Sequence, residues 1–305
     1  MRHLTSLLNL SSEDVREILA LASDLKSRLR RGERPALLAG HVLTQVFEKP
    51  SLRTRLSFDA AMMQLGGSSI FLSGKDAGLE GREAVSDVAR VIGGYSDIIA
   101  LRTFKQSLIE DFARWSGKPV INGLSNDCHP CQALADALTI QEAFGSCEGL
   151  RLAYIGDGNN VAVSLAEMCG HVGMNFSIGT PPEYELPRPF IEQLKKRFPK
   201  LEVLETNDPY AAAANADVIY TDVWASMGQE DEKEARKKDF KGFQIDTALM
   251  NAAHRKARFM HCLPARRGLE VSDDVMDGPQ SLCFPQAENR MHLAKAALVW
   301  GVQKS

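Results

Sequence analysis

The sequence predicts an α/β protein made of two doubly wound parallel-sheet units, with helices on both faces and interdomain helices joining them. Three observations carry this. Short β-branched or apolar runs alternate with helical patterns along most of the chain, the signature of parallel strands linked by helical crossovers. At 305 residues the chain exceeds the usual size of a single core. The alternation breaks at Gly145-Ser146-Cys147-Glu148-Gly149 and then restarts.

Taken in order, Ser11 and Ser12 open an amphipathic helix with Val15, Ile18, Leu19, Ala22 and Leu25 on one face. Strands are expected at 42–47, 68–72, 97–101 and 119–122, with helices between them and another from Gln132 to Phe144. The second series places strands near 151–155, 174–179, 201–205, 217–221 and 258–261. A last helix runs from about Gln286 to Trp300, and the charged segment 226–240 reads as an exposed loop leading into a helix.

Composition narrows the function. Apolar residues make up 44% and charged residues 25%, the balance of a soluble globular protein. A net charge of −3 without a long basic run does not suit a nucleic-acid surface. No apolar run is long enough for a membrane span, and Met1-Arg2-His3-Leu4-Thr5 lacks a signal core, so a cytoplasmic chain with reduced thiols is expected. Cys128-His129-Pro130-Cys131 could be half a zinc site, but no second Cys/His pair stands at matching spacing, so no metal is expected.

Ligands of open parallel sheets bind beyond the carboxyl ends of the strands. Ser51-Leu52-Arg53-Thr54-Arg55 follows the first strand: an N-cap serine, two hydroxyls and two guanidiniums crowd one helix start. That combination suits an anion, phosphate above all, since arginine there opposes the helix dipole. Arg102 follows the third strand, and Asn126-Asp127-Cys128-His129-Pro130-Cys131-Gln132 the fourth. In the second half, Gly156-Asp157-Gly158-Asn159-Asn160 follows its first strand. It lacks the third glycine and the distal acid of a dinucleotide fingerprint, so it reads as a tight turn exposing Asn160 rather than as a nicotinamide site. Asp222 with Ser226-Met227-Gly228, and His261-Cys262-Leu263-Pro264, close the remaining strands.

These motifs, together with Ala287-Glu288-Asn289-Arg290-Met291-His292, resemble the carbamoyltransferase family in order and over nearly the whole chain, on its ornithine-using side. The resemblance implies a carbamoyl phosphate-binding domain at 1–145, with helix 286–305 packing back onto it, and an ornithine-binding domain at 150–285. It implies transfer of the carbamoyl group from carbamoyl phosphate to the side-chain amine of L-ornithine, giving L-citrulline and phosphate. Acetylornithine, succinylornithine and aspartate are the alternative acceptors. By resemblance, Ser51, Leu52, Arg53, Thr54, Arg102, His129, Gln132, Cys262, Leu263 and Arg290 bind carbamoyl phosphate. Asn160, Asp222, Ser226 and Met227 would hold ornithine, and Arg53, Arg102, His129, Asp222 and Cys262 form the catalytic set. The family also implies a homotrimer or a multiple of trimers, without metal or organic cofactor.

Two positions depart from the family pattern. Leu52 stands where threonine is common, removing one hydroxyl but leaving its backbone N–H. The segment Lys75-Asp76-Ala77-Gly78-Leu79-Glu80 stands where several relatives carry a glutamine reaching a neighbouring subunit's site. Acyl transfer from a mixed anhydride needs cationic or donor groups on the phosphate and on the developing oxyanion, which suits Arg53 and the 51–55 amides for the first and Arg102 and His129 for the second. Asp222 is expected to orient the acceptor through its α-amino group, because a desolvated carboxylate beside the attacking amine would keep it protonated.

Overall fold

The computed structural model describes residues 1–79, 81–225 and 230–303. Its chain divides into two compact units, Met1–Leu138 with Glu288–Ser305 and Thr139–Ala287.

The first unit contains α1 (Ser12–Arg30), β1 (Val42–Phe47), α2 (Leu52–Gln64), β2 (Ser68–Ser73), α3 (Val85–Tyr95), β3 (Ile98–Arg102), α4 (Gln106–Trp115) and β4 (Val120–Leu124). All strands pair in parallel, in the order β2-β1-β3-β4. The helix α5 (Pro130–Phe144) then runs across the division between the units. It starts at Pro130 rather than Gln132 because proline, with no N–H to satisfy, fits a first turn. The apolar face read from the sequence of α1 is the buried one, and Ser11 with Asp14 forms a capping box at its start. Every residue of β3 is buried, and Val46, Ile99, Leu101, Ile109, Phe112 and Val120 pack into one core cluster.

The second unit contains β5 (Arg151–Ile155), α6 (Asn160–Val172), β6 (Asn175–Gly179), α7 (Arg188–Arg197), β7 (Val203–Thr206), α8 (Pro209–Ala213), β8 (Val218–Thr221), α9 (Lys233–Asp239), α10 (Thr247–Ala252), β9 (Arg258–His261) and α11 (Asp273–Met276). Its sheet is also parallel, in the order β7-β6-β5-β8-β9. The last helix, α12 (Cys283–Val302), crosses back. In the first unit its Asn289 accepts from the buried Lys26 ammonium at 2.6 Å, and Arg2 stacks over its Trp300.

Both sheets anchor their central strands alike. The Asp97 carboxylate accepts from the N–H of Val42 at the start of β1, and Asp217 accepts from Arg151 at the start of β5. Each acid therefore precedes its own strand, which is why β3 and β8 begin one residue later than the sequence pattern suggests.

Close packing of α3 against α4 depends on Gly93, where a Cβ would lie 2.0 Å from the Ser116 carbonyl oxygen. Gly94, the next residue, has open space around the same position. Gly93→Ala is expected to lower the urea midpoint by an amount equivalent to about 1–3 kcal/mol, through overpacking. Gly94→Ala should raise stability slightly, by up to about 1 kcal/mol, through helix propensity. Equal effects of the two substitutions would contradict this packing.

Candidate active site

In each sheet the strand order reverses direction once, and the chain leaves the two flanking strands on opposite sides. In the first unit that point lies between β1 and β3. There Phe47 of β1 pairs with Arg102, the final residue of β3, where a register shift opens the pairing toward β4.

Beyond β1, the Ser51 hydroxyl caps α2 by accepting from Thr54 N–H at 3.2 Å, and lies 3.0 Å from the Thr54 hydroxyl. The first turn carries no acid, unlike that of α1 with Glu13 and Asp14. Leu52 N–H and Arg53 N–H, at the first two helical positions, lie too early in the helix for an intrahelical acceptor. The Leu52 side chain is 69% exposed, so what it offers this turn is its amide. Gly123 lets β4 approach, since a Cβ there would meet the Leu101 carbonyl and the Thr54 methyl.

A chain of contacts extends from this turn. Arg290 of α12 donates to the Gln132 amide oxygen and toward the Thr54 hydroxyl, while Gln132 donates its own NH₂ to Asp136 at 2.8 Å. The Gln132 amide is thereby oriented with its oxygen on the Arg290 side. His129, buried at the entry to α5, has its pKa held well below the ordinary value, by burial first and then by Arg290 and Arg102. It is a neutral imidazole at neutral pH. Burial drives the Cys131 thiol up to about 12, leaving it an inert donor to the Asn122 carbonyl. Ser51, Leu52, Arg53, Thr54, Arg102, His129, Gln132 and Arg290 all belong to this unit. Sequence reasoning passed over Lys49, which is buried, donates to Asn126 and stacks on the Phe104 ring at 4.5 Å, with its pKa lowered by burial and by Arg102. A lysine one residue before the Pro50-Ser51 break was the available signal.

In the second unit the reversal lies between β5 and β8. The turn after β5 carries Asn159 and Asn160, and Asp222 follows β8 directly. Asn159 caps α6 with its amide oxygen and donates its NH₂ to Asp222 at 3.2 Å. Asn160 is the first, half-buried residue of that helix. The Cys262 thiol donates to the other Asp222 oxygen at 3.0 Å. A carboxylate is the wrong neighbour for a nucleophilic thiolate, which needs cations or a helix N-terminus.

Leu263 sits at φ 60°, a left-handed backbone costing a non-glycine residue about 1–3 kcal/mol. It is held by donating its N–H to His261 Nδ1 at 2.9 Å, while Nε2 of the same fully buried ring faces Glu270 at 3.3 Å. Donor atoms of Asp222, His261 and Cys262 lie within 4.8 Å of one another, a grouping that could suggest a metal. Both imidazole nitrogens are engaged, however, so His261 serves the backbone of the Cys262–Leu263 turn instead. Ser226 and Met227 lie outside the described residues. Asn159, His261 and Glu270 were missed as positioning residues. His261 and Asn159 stood inside quoted motifs, but nothing local marks Glu270 as their partner.

Two parallel-sheet units, each with polar and charged side chains at its reversal point, define an α/β protein of the open, doubly wound class. Comparison with known proteins makes this specific. Residues 2–142 match the family model "Aspartate/ornithine carbamoyltransferase, carbamoyl-P binding domain", and residues 148–301 match "Aspartate/ornithine carbamoyltransferase, Asp/Orn binding domain". An ornithine carbamoyltransferase of Anoxybacillus flavithermus is 47% identical over 296 residues, covering 96% of this chain and 94% of its own. One from Wolinella succinogenes is 45% identical over 302 residues, covering 98% of each. The solved ornithine carbamoyltransferase of Pyrococcus furiosus superposes with a TM-score of 0.94 at 44% identity, covering 97% of this chain and 96% of its own. The chain belongs to the aspartate/ornithine carbamoyltransferase family.

The neutral His129 has a consequence for stability. The unfolded chain takes up its proton near pH 6.5, the folded chain only well below. Folding stability therefore falls as pH drops below about 6.5, where the unfolded state binds more protons. His129→Gln should flatten the loss of urea midpoint between about pH 6.5 and 5. An unchanged pH slope would mean that the ring is not held neutral.

Proposed function

We propose that this protein transfers the carbamoyl group of carbamoyl phosphate to the side-chain amine of L-ornithine, giving L-citrulline and phosphate by direct attack in a ternary complex. The observation that carries this reading is the pairing of chemistries at the two reversal points. One gathers arginines with a helix start free of acids, and the other gathers a carboxylate, a thiol and two amides. The names and coverage of the relatives support the same substrates.

In this reading Ser51, the Leu52 and Arg53 amides, Arg53, Thr54 and Arg290 bind the phosphate. Charge-assisted bonds of this kind are roughly twice as strong as neutral ones. Arg102 and neutral His129 donate to the carbonyl oxygen as it becomes an oxyanion, each donor being worth about 2.7–4 kcal/mol of barrier. The oriented Gln132 oxygen accepts from the carbamoyl NH₂. The ornithine amine attacks the carbonyl carbon, the C–O bond to phosphate breaks with its electron pair on phosphate, and the nitrogen passes a proton to the departing phosphate. Asp222, Asn160, Ser226 and Met227 hold ornithine, with Asp222 on the α-ammonium, and Cys262 and Leu263 line the path between the substrates without covalent chemistry. We read the protein further as a cytoplasmic homotrimer or a multiple of trimers.

An aspartate acceptor would need a cation for its second carboxylate, whereas the described partners of Asp222 are an amide and a thiol. An acceptor screen with ornithine, acetylornithine, succinylornithine, aspartate and putrescine, read by citrulline colour and phosphate release, tests the assignment. Ornithine should exceed the others, and preference for a capped ornithine would overturn it.

Arg53→Ala and Arg102→Ala should each weaken carbamoyl phosphate binding and turnover by about tenfold to a hundredfold, as expected for a lost charged hydrogen bond. Asp222→Ala should raise the ornithine KM by about tenfold or more and leave the carbamoyl phosphate Kd within about twofold. Equal weakening of both ligands by Asp222→Ala would refute the division of labour. Because only neutral amine attacks, kcat/KM for ornithine should climb about tenfold per pH unit through neutrality, tracking an amine of pKa about 10.4.

A further inference from the structure

The charged stretch that opens α9 hides one arginine. Arg236 is 7% exposed, while Lys237 and Lys238 beside it are exposed. Its Nη1 donates to Asp157 at 2.7 Å and to the Trp224 carbonyl at 2.9 Å, and its Nε donates to Glu232 at 2.7 Å. The guanidinium also lies over the Tyr184 ring at 4.9 Å, and the Tyr184 hydroxyl donates to Asp239 at the end of the same helix.

What these contacts join is informative. Asp157 lies in the turn after β5, two residues before Asn159, which donates to Asp222. Trp224 lies two residues after Asp222 on the chain leaving β8. The loops on the two sides of the reversal point belong to diverging strands, and no sheet hydrogen bond can hold them together past the strand ends. One nitrogen of Arg236 bonds to both. Asp157 is also largely buried beside Asp222, which raises its pKa along with burial, and Arg236 is its opposing charge. Without that cation, two carboxylates would share one desolvated corner.

We propose that Arg236 is a positioning residue for the acceptor: through Asp157 and the Trp224 carbonyl it sets the spacing at which Asn160 and Asp222 present themselves, without touching the substrate. The inference rests on the assignment of Asn160 and Asp222 to ornithine made above. Buried arginine suits the task because its rigid planar fork serves several acceptors in fixed directions, whereas a lysine offers a compact point charge with rotatable donors.

The test is steady-state kinetics on the full protein, with a thermal unfolding scan of each variant. Arg236→Met should raise the ornithine KM by about tenfold or more while the carbamoyl phosphate Kd stays within about twofold, since only one ligand depends on the spacing. Asp157→Ala should do the same, and the double variant should be no worse than either single one, as expected for groups acting as one unit. Glu232→Ala removes the partly exposed contact and should be silent, within about twofold in every constant, as surface ion pairs usually are. If Arg236→Met fails to fold, Arg236→Lys and Asp157→Asn carry the test. Each keeps one polar contact, and each should show the same one-sided rise in KM at smaller size. An ornithine KM unchanged in all these variants, both substrates weakened together, or additive effects of Arg236 and Asp157 would overturn the inference. Asp222→Ala separates it from the reading beneath it. If Asp222→Ala raises the ornithine KM and Arg236→Met does not, only the role of Arg236 is lost. If neither does, the acceptor assignment itself fails.

Discussion

A parallel sheet must send its chain away from a central strand in both directions, and the crevice left between the departing loops governs both halves of this protein. In the first unit β1 connects toward β2 while β3 connects toward β4, so the segments after Phe47 and Arg102 part company. In the second unit β5 and β8 do the same. Side chains at these ends stand where open parallel sheets bind their ligands. Both sheets fix the opposite end by the same device, an aspartate before the second strand accepting from the first N–H of the central strand. Register is thus pinned at one edge, and the side chains at the other edge inherit defined positions.

Gathering cations in a buried place is costly unless something holds them apart or neutralises one. In the first unit Arg102 and Arg290 are both nearly buried, and His129 between their fields is kept neutral. Neutrality suits the chemistry proposed, since a neutral imidazole donates a hydrogen bond without adding a third charge. Arg290 is further steadied by the Gln132 oxygen, which is itself fixed through Asp136. The second unit solves the opposite problem. Its two clustered carboxylates, Asp157 and Asp222, have different partners, an arginine for the first and neutral donors for the second.

Much of this was legible in the sequence because strand ends carry composition as well as position. The strands at 42–47, 151–155 and 258–261 coincide with the observed ones, and Ser51 caps α2 as its residue type suggests. What stayed hidden depends on pairs distant in sequence. Glu270 partners His261 across nine residues of irregular chain, and Arg236 partners Asp157 across seventy-nine, so neither shows in a local pattern. The segment 226–240 read as solvated from its charges, and among its described residues Arg236 is the buried charged side chain because its guanidinium satisfies three acceptors at once. The start of β3 slipped by one because Asp97 spends its carboxylate on β1 instead of entering the strand.

The contrast between the two sites follows from the charge each ligand must carry during reaction. A phosphate leaving group gains negative charge as the C–O bond breaks, so fixed cations and oriented amides favour the transition state over the ground state. An attacking amine must instead lose its charge before it can react, and a carboxylate aimed at it would hold the proton in place. One carboxylate is therefore tolerable only if it binds elsewhere on the amino acid and the groups around it are neutral. Asp222 meets the second condition in its hydrogen-bond partners, the Asn159 amide on one oxygen and the Cys262 thiol on the other, while the nearby Asp157 is matched by Arg236. Keeping Cys262 as a thiol donor serves the same end, because a thiolate there would add a second negative charge beside the amine. Even the buried His261–Glu270 pair fits this scheme: it supports the Cys262–Leu263 turn through one backbone N–H.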